Sequence, residues 1–107
     1  MSRLNTFLTG IKVVDLSRHL PGPLASMSLA EMGAEVIKVE PPQGEEMRLI
    51  GPTGPNNRSA YFDSVNAGKK GIRLNLKEET DRHTLLDLLK DADVLLESFR
   101  PGVMAKL

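Results

Sequence analysis

Ile11-Lys12-Val13-Val14-Asp15-Leu16, Pro21-Gly22-Pro23 and Glu35-Val36-Ile37-Lys38-Val39-Glu40 are the segments that decide the fold. The first is a short, β-branched, mostly apolar run between Gly10 and Ser17, the pattern of a strand buried on both faces. After the prolines, Leu24, Met27, Leu29 and Met32 recur near helical spacing and Gly33 follows as a C-terminal stop, so a helix is expected over 24–32. The third segment reads as a strand that ends at Pro41-Pro42, where the ladder loses its donors. Strand, helix, strand is a βαβ unit.

Beyond it, residues 41–70 carry much of the Gly, Pro and Asn with no sustained period, a long loop in which Ser59 to Val65 are placed to form a short helix. Ile72-Arg73-Leu74-Asn75-Leu76 alternates as a half-buried strand should, with Arg73 and Asn75 on the wetter face. Glu78-Glu79-Thr80-Asp81 then opens a helix whose apolar side reads Leu85, Leu86, Leu88 and Leu89, its acids favourably placed against the macrodipole. Val94 to Ser98 is a fourth strand. Alternating strands and helices predict an α/β fold with a mostly parallel sheet and flanking helices. From Arg100-Pro101 a further helix begins and the sequence stops at Leu107 without a cap residue, so this is expected to be the N-terminal part of a larger domain.

The 107 residues carry 14 Lys+Arg against 14 Asp+Glu, with no Cys, no Trp and 4% aromatic. Zero net charge and so few aromatic rings give neither a phosphate-backbone footprint nor a stacking platform, which argues against nucleic acid. Without Cys there is no disulfide framework, thiol nucleophile or thiolate metal site. Apolar runs such as Val94-Leu95-Leu96 are far shorter than a bilayer span of about 20 residues, and no signal-peptide pattern opens the chain. A cytoplasmic protein with no membrane partner is expected.

In open α/β sheets, ligands bind beyond the carboxyl ends of the strands. That rule selects Ser17 to Pro23, Pro41 onward, Lys77, and Ser98-Phe99-Arg100, with cations at Arg18, His19, Lys69, Lys70, Lys77, Arg100 and Lys106 available to an anionic, nucleotide-bearing ligand. The glycine pattern of a dinucleotide site is absent at Leu20 to Leu24, and Gly68-Lys69-Lys70-Gly71 lacks the following Ser/Thr and helix of a phosphate loop. The two histidines, His19 and His83, lie on different elements, so no metal site is expected. His83 reads as a surface residue. Asp15, at the end of a buried strand, is either an acid–base group with a raised pKa or, by the weightier reading, a structural carboxylate bonded to loop amides. No serine sits in a nucleophile elbow.

Gly10 to Ser17, Pro21-Gly22-Pro23, Met32 to Pro42, Asn66 to Lys77 and Ala92 to Gly102 resemble, in order and spacing, the opening of the class III CoA-transferases of CaiB/BaiF type. That family includes formyl-CoA transferase, carnitine CoA-transferase and the α-methylacyl-CoA racemases. The resemblance implies a Rossmann-like large domain that binds coenzyme A at its strand ends, in subunits interlocked as a homodimer. It also implies transfer of CoA between carboxylic acids, with acyl-CoA and a free acid as substrates and no further cofactor. Family CoA contacts fall on His19, Leu20 and Pro21, on Leu74, Asn75 and Lys77, on Ser98, Phe99 and Arg100, and on Lys106; of these, opposite charge and directed N–H donors make Lys77 and Arg100 the foremost phosphate partners. Pro41 stands where many members carry an Arg at the adenine, and Leu20 where some transferases have Gln. The family's Asp nucleophile, which forms a mixed anhydride and then a CoA thioester, lies beyond position 107, as do the His and Asp of the racemases. No catalytic residue is therefore assigned here, and the segment is expected to be inactive alone. An acyl-CoA racemase and a non-catalytic interaction module on the same scaffold remain the alternatives.

Overall fold

A computed structural model describes residues 7–54 and 58–106. In chain order the elements are β1 (Lys12–Asp15), α1 (Pro21–Glu31), β2 (Glu35–Glu40), a 3-10 turn (Glu46–Leu49), α2 (Ala60–Asn66), β3 (Lys70–Arg73), α3 (Glu79–Lys90), β4 (Val94–Leu96) and the short α4 (Val103–Lys106). The strands form one four-stranded sheet in the order β3-β2-β1-β4, with every neighbouring pair parallel. This is the expected α/β fold.

Element ends differ from the expectation for identifiable reasons. Helix α1 starts at Pro21 rather than Leu24, because a proline in the first turn gives up only an N–H that has no helical partner. Its other end follows the glycine rule: Gly33, at φ 104°, donates to Ala30 O and Ala34 donates to Leu29 O. Strand β3 occupies Lys70–Arg73 instead of 72–76. Its register pairs Ile37 with Lys70 and Glu40 with Arg73, and after Leu74 N–H reaches Glu40 O the partner strand is finished by Pro41. The apolar alternation of Leu74 and Leu76 thus continues on a chain that has left the ladder. β4 stops at Leu96 rather than Ser98 because β1 offers it partners only from Val13 to Asp15. Within 41–70, the 3-10 turn and an antiparallel Thr53–Ser59 bridge replace much of the expected loop, and α2 lies one residue beyond the expected helix. Ser59 caps α2 by accepting from Phe62 N–H at 3.1 Å. Pro55-Asn56-Asn57 of that loop and the end residue Leu107 lie outside the described residues.

Helices cover the sheet on two faces, and the strand period of two assigns side chains to them. Val13 and Val36 pack with Ala34 against Leu29 and Ala30 of α1. Val14, Leu16 and Val39 pack with Leu74 against Leu85, Leu88 and Leu89 of α3. Leu86, assigned from sequence to the apolar side of α3, is 55% exposed, since 85, 88 and 89 share one face and 86 is turned about 100° away. On α1 the buried positions are Pro23 and Ser26, whereas Leu24 is largely exposed. A polar residue on that line signals what it faces.

The approach of α1 to β1 leaves no room at Gly22, where a Cβ would lie 2.2 Å from Ser17 Cβ and 2.5 Å from its Oγ. Ser17 is itself buried and has no long side chain to swing aside. Gly22→Ala is expected to lower the unfolding free energy by about 1–3 kcal/mol, the usual penalty of overpacking, as read by urea denaturation. An unchanged midpoint would contradict the close approach.

Candidate strand-end cleft

The same alternation that buries Val13 and Val36 on the α1 face carries Asp15, Ser17, Lys38 and Glu40 to that face at the strands' C-terminal ends. All four are buried. Asp15 accepts from Ser17 N–H at 2.8 Å, from the Ser17 hydroxyl, from Ser26 Oγ at 2.5 Å and from Lys69 Nζ at 3.1 Å. Lys69 also donates to Asn66 Oδ1 and Pro23 O. Burial by itself raises the Asp15 pKa, but the Ser17 and Ser26 hydroxyls, then Lys69, outweigh it and hold the carboxyl below its ordinary value. Asp15 is thus the structural carboxylate and not a raised-pKa acid. Burial likewise lowers Lys69, and Asp15 pulls it back only part of the way.

A second set adjoins the first. Lys38 Nζ lies 2.7 Å from Glu45 Oε1, both side chains almost wholly enclosed, and donates to Ser17 O at 3.1 Å. Glu45 Oε1 meets that ammonium as a charge contact without hydrogen-bond alignment. Arg48 grips Glu40 through Nε and Nη2, each at 3.0 Å, and stacks 4.0 Å from the Phe62 ring centroid. Each carboxylate of the layer thus has a cation partner, Asp15 with Lys69, Glu45 with Lys38 and Glu40 with Arg48, and Arg73 Nε lies a further 3.9 Å from Glu40.

Past the ends of β1, β2 and β3, on the face that Leu16, Val39 and Leu74 share with α3, opens a cleft of about 310 Å³. Its floor is apolar, from Leu16, Val39, Leu74, Leu76 and Phe99, and Pro41 and Pro42 wall one side. Its polar lining is Arg18, Asn75 and Lys77, which also border a neighbouring open recess with Gln43, together with Glu40, whose carboxylate Arg48 holds. Arg18 reaches the cleft by lying over the Phe99 ring, 5.5 Å from its centroid, while its N–H donates to Ser98 Oγ at 3.0 Å. Asn75 Oδ1 accepts from Lys77 N–H at 3.1 Å and Asn75 N–H donates to Asp81 Oδ2 at 2.7 Å, so α3's first turn pins the 75–77 bend. A flat apolar group can lie on such a floor with anionic groups directed to Arg18 and Lys77.

Of the family contacts carried over in the sequence reading, the cleft brings together Leu74, Asn75, Lys77 and Phe99, and it adds Arg18 and Pro41 from the strand-end segments. His19, Leu20, Pro21, Ser98, Arg100 and Lys106 do not line it. Ser98 still serves it by receiving the Arg18 amide. His19 and Leu20 lead into α1, Arg100 is exposed and accepts Val103 N–H through its carbonyl, and Lys106 is exposed at the end of α4. His83 is a surface residue, 3.7 Å from Glu79. Arg18, Leu16 and Val39 were not among the assigned contacts. The strand-end rule had already selected the loop that carries Arg18, and that rule was the available signal.

Comparison with known proteins gives this arrangement a context. Residues 8–107 match CoA-transferase family III. The acetyl-CoA:oxalate CoA-transferase of Acetobacter aceti is 48% identical over 92% of this chain and 25% of its own length. The succinyl-CoA:glutarate CoA-transferase of Mus musculus is 42% identical over 94% of the chain and 23% of its own. The crystal structure of a CAIB/BAIF family protein from Brucella suis superposes with a TM-score of 0.89 at 40% identity, covering 95% of this chain and 28% of that one. The chain therefore spans about a quarter of the length of these relatives. A family match over nearly the whole chain, relatives above two-fifths identity and a shared parallel-sheet fold leave one conclusion: this chain belongs to CoA-transferase family III.

Proposed function

We propose that the chain forms part of the CoA-binding domain of an enzyme that moves CoA between carboxylic acids, and that the strand-end cleft receives coenzyme A. The observation that carries this reading is the union of an apolar floor with two rim cations, Arg18 and Lys77, at the topological position where α/β sheets bind nucleotides. The adenine ring would lie against the Leu74 and Phe99 side of the floor, and the phosphates would accept from Arg18 and Lys77. Pro41 lines that floor. A transferase is favoured over a racemase because the relatives compared above are named acetyl-CoA:oxalate CoA-transferase and succinyl-CoA:glutarate CoA-transferase.

Asp15 is not the nucleophile in this reading. It is fully enclosed, and each oxygen is already engaged. A nucleophile must meet the thioester carbonyl, so the acyl-accepting carboxylate belongs to another part of the protein. The complete enzyme works in the cytoplasm as an interlocked homodimer and needs no metal or redox group.

Isothermal calorimetry with coenzyme A on the protein carrying this chain tests binding, and mass spectrometry of succinyl-CoA incubated with oxalate or glutarate tests transfer. Binding that weakens with added salt and appearance of the exchanged thioester are expected, while the 107-residue chain alone yields none. Absence of both binding and exchange would overturn the reading. Exchange by the chain alone that vanished in Asp15→Asn would overturn the assignment of Asp15.

A further inference from the structure

Glu45 sits 3% exposed between β2 and the 3-10 turn, next to an almost wholly enclosed Lys38. An enclosed carboxylate–ammonium pair is a poor way to stabilise a core, where apolar residues of the same volume often do as well or better. What distinguishes this pair is where its remaining atoms go. Glu45 Oε2 accepts from His19 N–H at 3.2 Å, and Lys38 Nζ donates to Ser17 O. Both side chains end on the backbone of the three residues that flank and include Arg18.

That backbone needs holding. His19 has φ 71°, the one positive-φ residue other than glycine among the described residues. The left-handed region is costly for a residue with a Cβ and persists where surroundings over-determine it. The reversal at 19 lets Leu20 lead into α1 while Arg18, one residue earlier, turns the other way to lie over Phe99 at the cleft. Ser98 Oγ secures the Arg18 amide from the β4 side, and Glu45 secures the next amide from the β2 side.

We propose that Glu45, backed by Lys38, is a positioning residue for the cleft: it fixes the 17–19 backbone in the conformation that presents Arg18 to the ligand. The proposal rests on the reading of the cleft as a coenzyme A site. Glu45 itself does not touch the ligand, for it is not among the residues that line the cleft. Loss of the hold lets the loop leave the left-handed turn, and apparent affinity falls with the fraction of molecules still in the competent conformation.

Calorimetry with coenzyme A and amide hydrogen exchange, on the protein carrying this chain, test it in Glu45→Gln and Glu45→Ala. Glu45→Gln is near-isosteric and carries the test where the alanine variant fails to fold. About ten- to a hundredfold weaker binding is expected, with faster exchange at His19 and unchanged protection at Val13 and Val36. Adding His19→Gly to Glu45→Gln should recover part of the affinity, since glycine adopts this turn without the Cβ penalty. Affinity within about twofold of the parent in Glu45→Gln overturns the proposal, and so does a loss that tracks global melting with no recovery from His19→Gly. Failure of the parent protein to bind coenzyme A sinks the functional reading instead; unaltered His19 exchange in Glu45→Gln then sinks the positioning role separately.

Discussion

Replacing Asp15 by alanine will lower the unfolding free energy by about 3–5 kcal/mol, because it strands the enclosed Lys69 ammonium and two buried hydroxyls. Few single substitutions reach that size. The double variant Asp15→Ala/Lys69→Met should recover a good part of the loss, since removing both charges leaves no uncompensated ion, and a double-mutant cycle in urea isolates the coupling. Additive losses would show that the two groups do not depend on each other. The pH dependence has a definite sign. Asp15 has a folded pKa below the unfolded one, so its contribution is complete above the ordinary carboxylate value of about 4 and is lost as pH falls through the lower folded value. The parent protein should therefore lose stability progressively in acid. Asp15→Asn, with no carboxyl to protonate there, should show a flatter acid limb, and an equal slope in the two proteins would contradict the assignment.

The βαβ frame was legible because its signals are local and redundant. A β-branched run, a proline pair, a helical stripe and Gly33 all agree, and local agreement of this kind is what makes a fold predictable. The burial of Asp15 was legible from its place at the end of β1, but its lowered pKa was not. That sign depends on Ser26, which arrives from α1, and on Lys69, which arrives 54 positions later along the chain. Read singly, each charged side chain looks like surface, and only the stacking of α1, α2 and the 3-10 turn over the strand ends makes one enclosed layer of them. The ends of β3 were misplaced for a related reason: alternation in 72–76 reports which side faces the core, whereas hydrogen bonding stops where the partner strand meets Pro41. The cleft was half legible. Strand-end topology selects the right loops, but which residue of 17–23 points into the opening is decided by the left-handed turn at His19, a conformation uncommon for any residue with a Cβ.

That turn reorders the expected energetics of binding. Charge and donor chemistry at the strand ends put Lys77 and Arg100 first as phosphate partners, while the geometry sets Lys77 with Arg18 on the rim and leaves Arg100 exposed outside the lining. Arg18→Ala and Lys77→Ala should each weaken coenzyme A binding by about ten- to a hundredfold, the range for losing a hydrogen bond to a charged group. Arg100→Ala should leave affinity within about twofold. Arg18 combines two features that a lysine separates: a charge on the rim of the cleft, and a planar guanidinium that lies on Phe99. Arg18→Lys should therefore retain much of the salt dependence yet bind more weakly than the parent, because an ammonium cannot stack on the ring or donate as a fork. Calorimetry across a salt series on the four variants reads all of this at once. A large loss in Arg100→Ala with none in Arg18→Ala would place the phosphates on the β4 side of the sheet and withdraw the cleft from the role given to it.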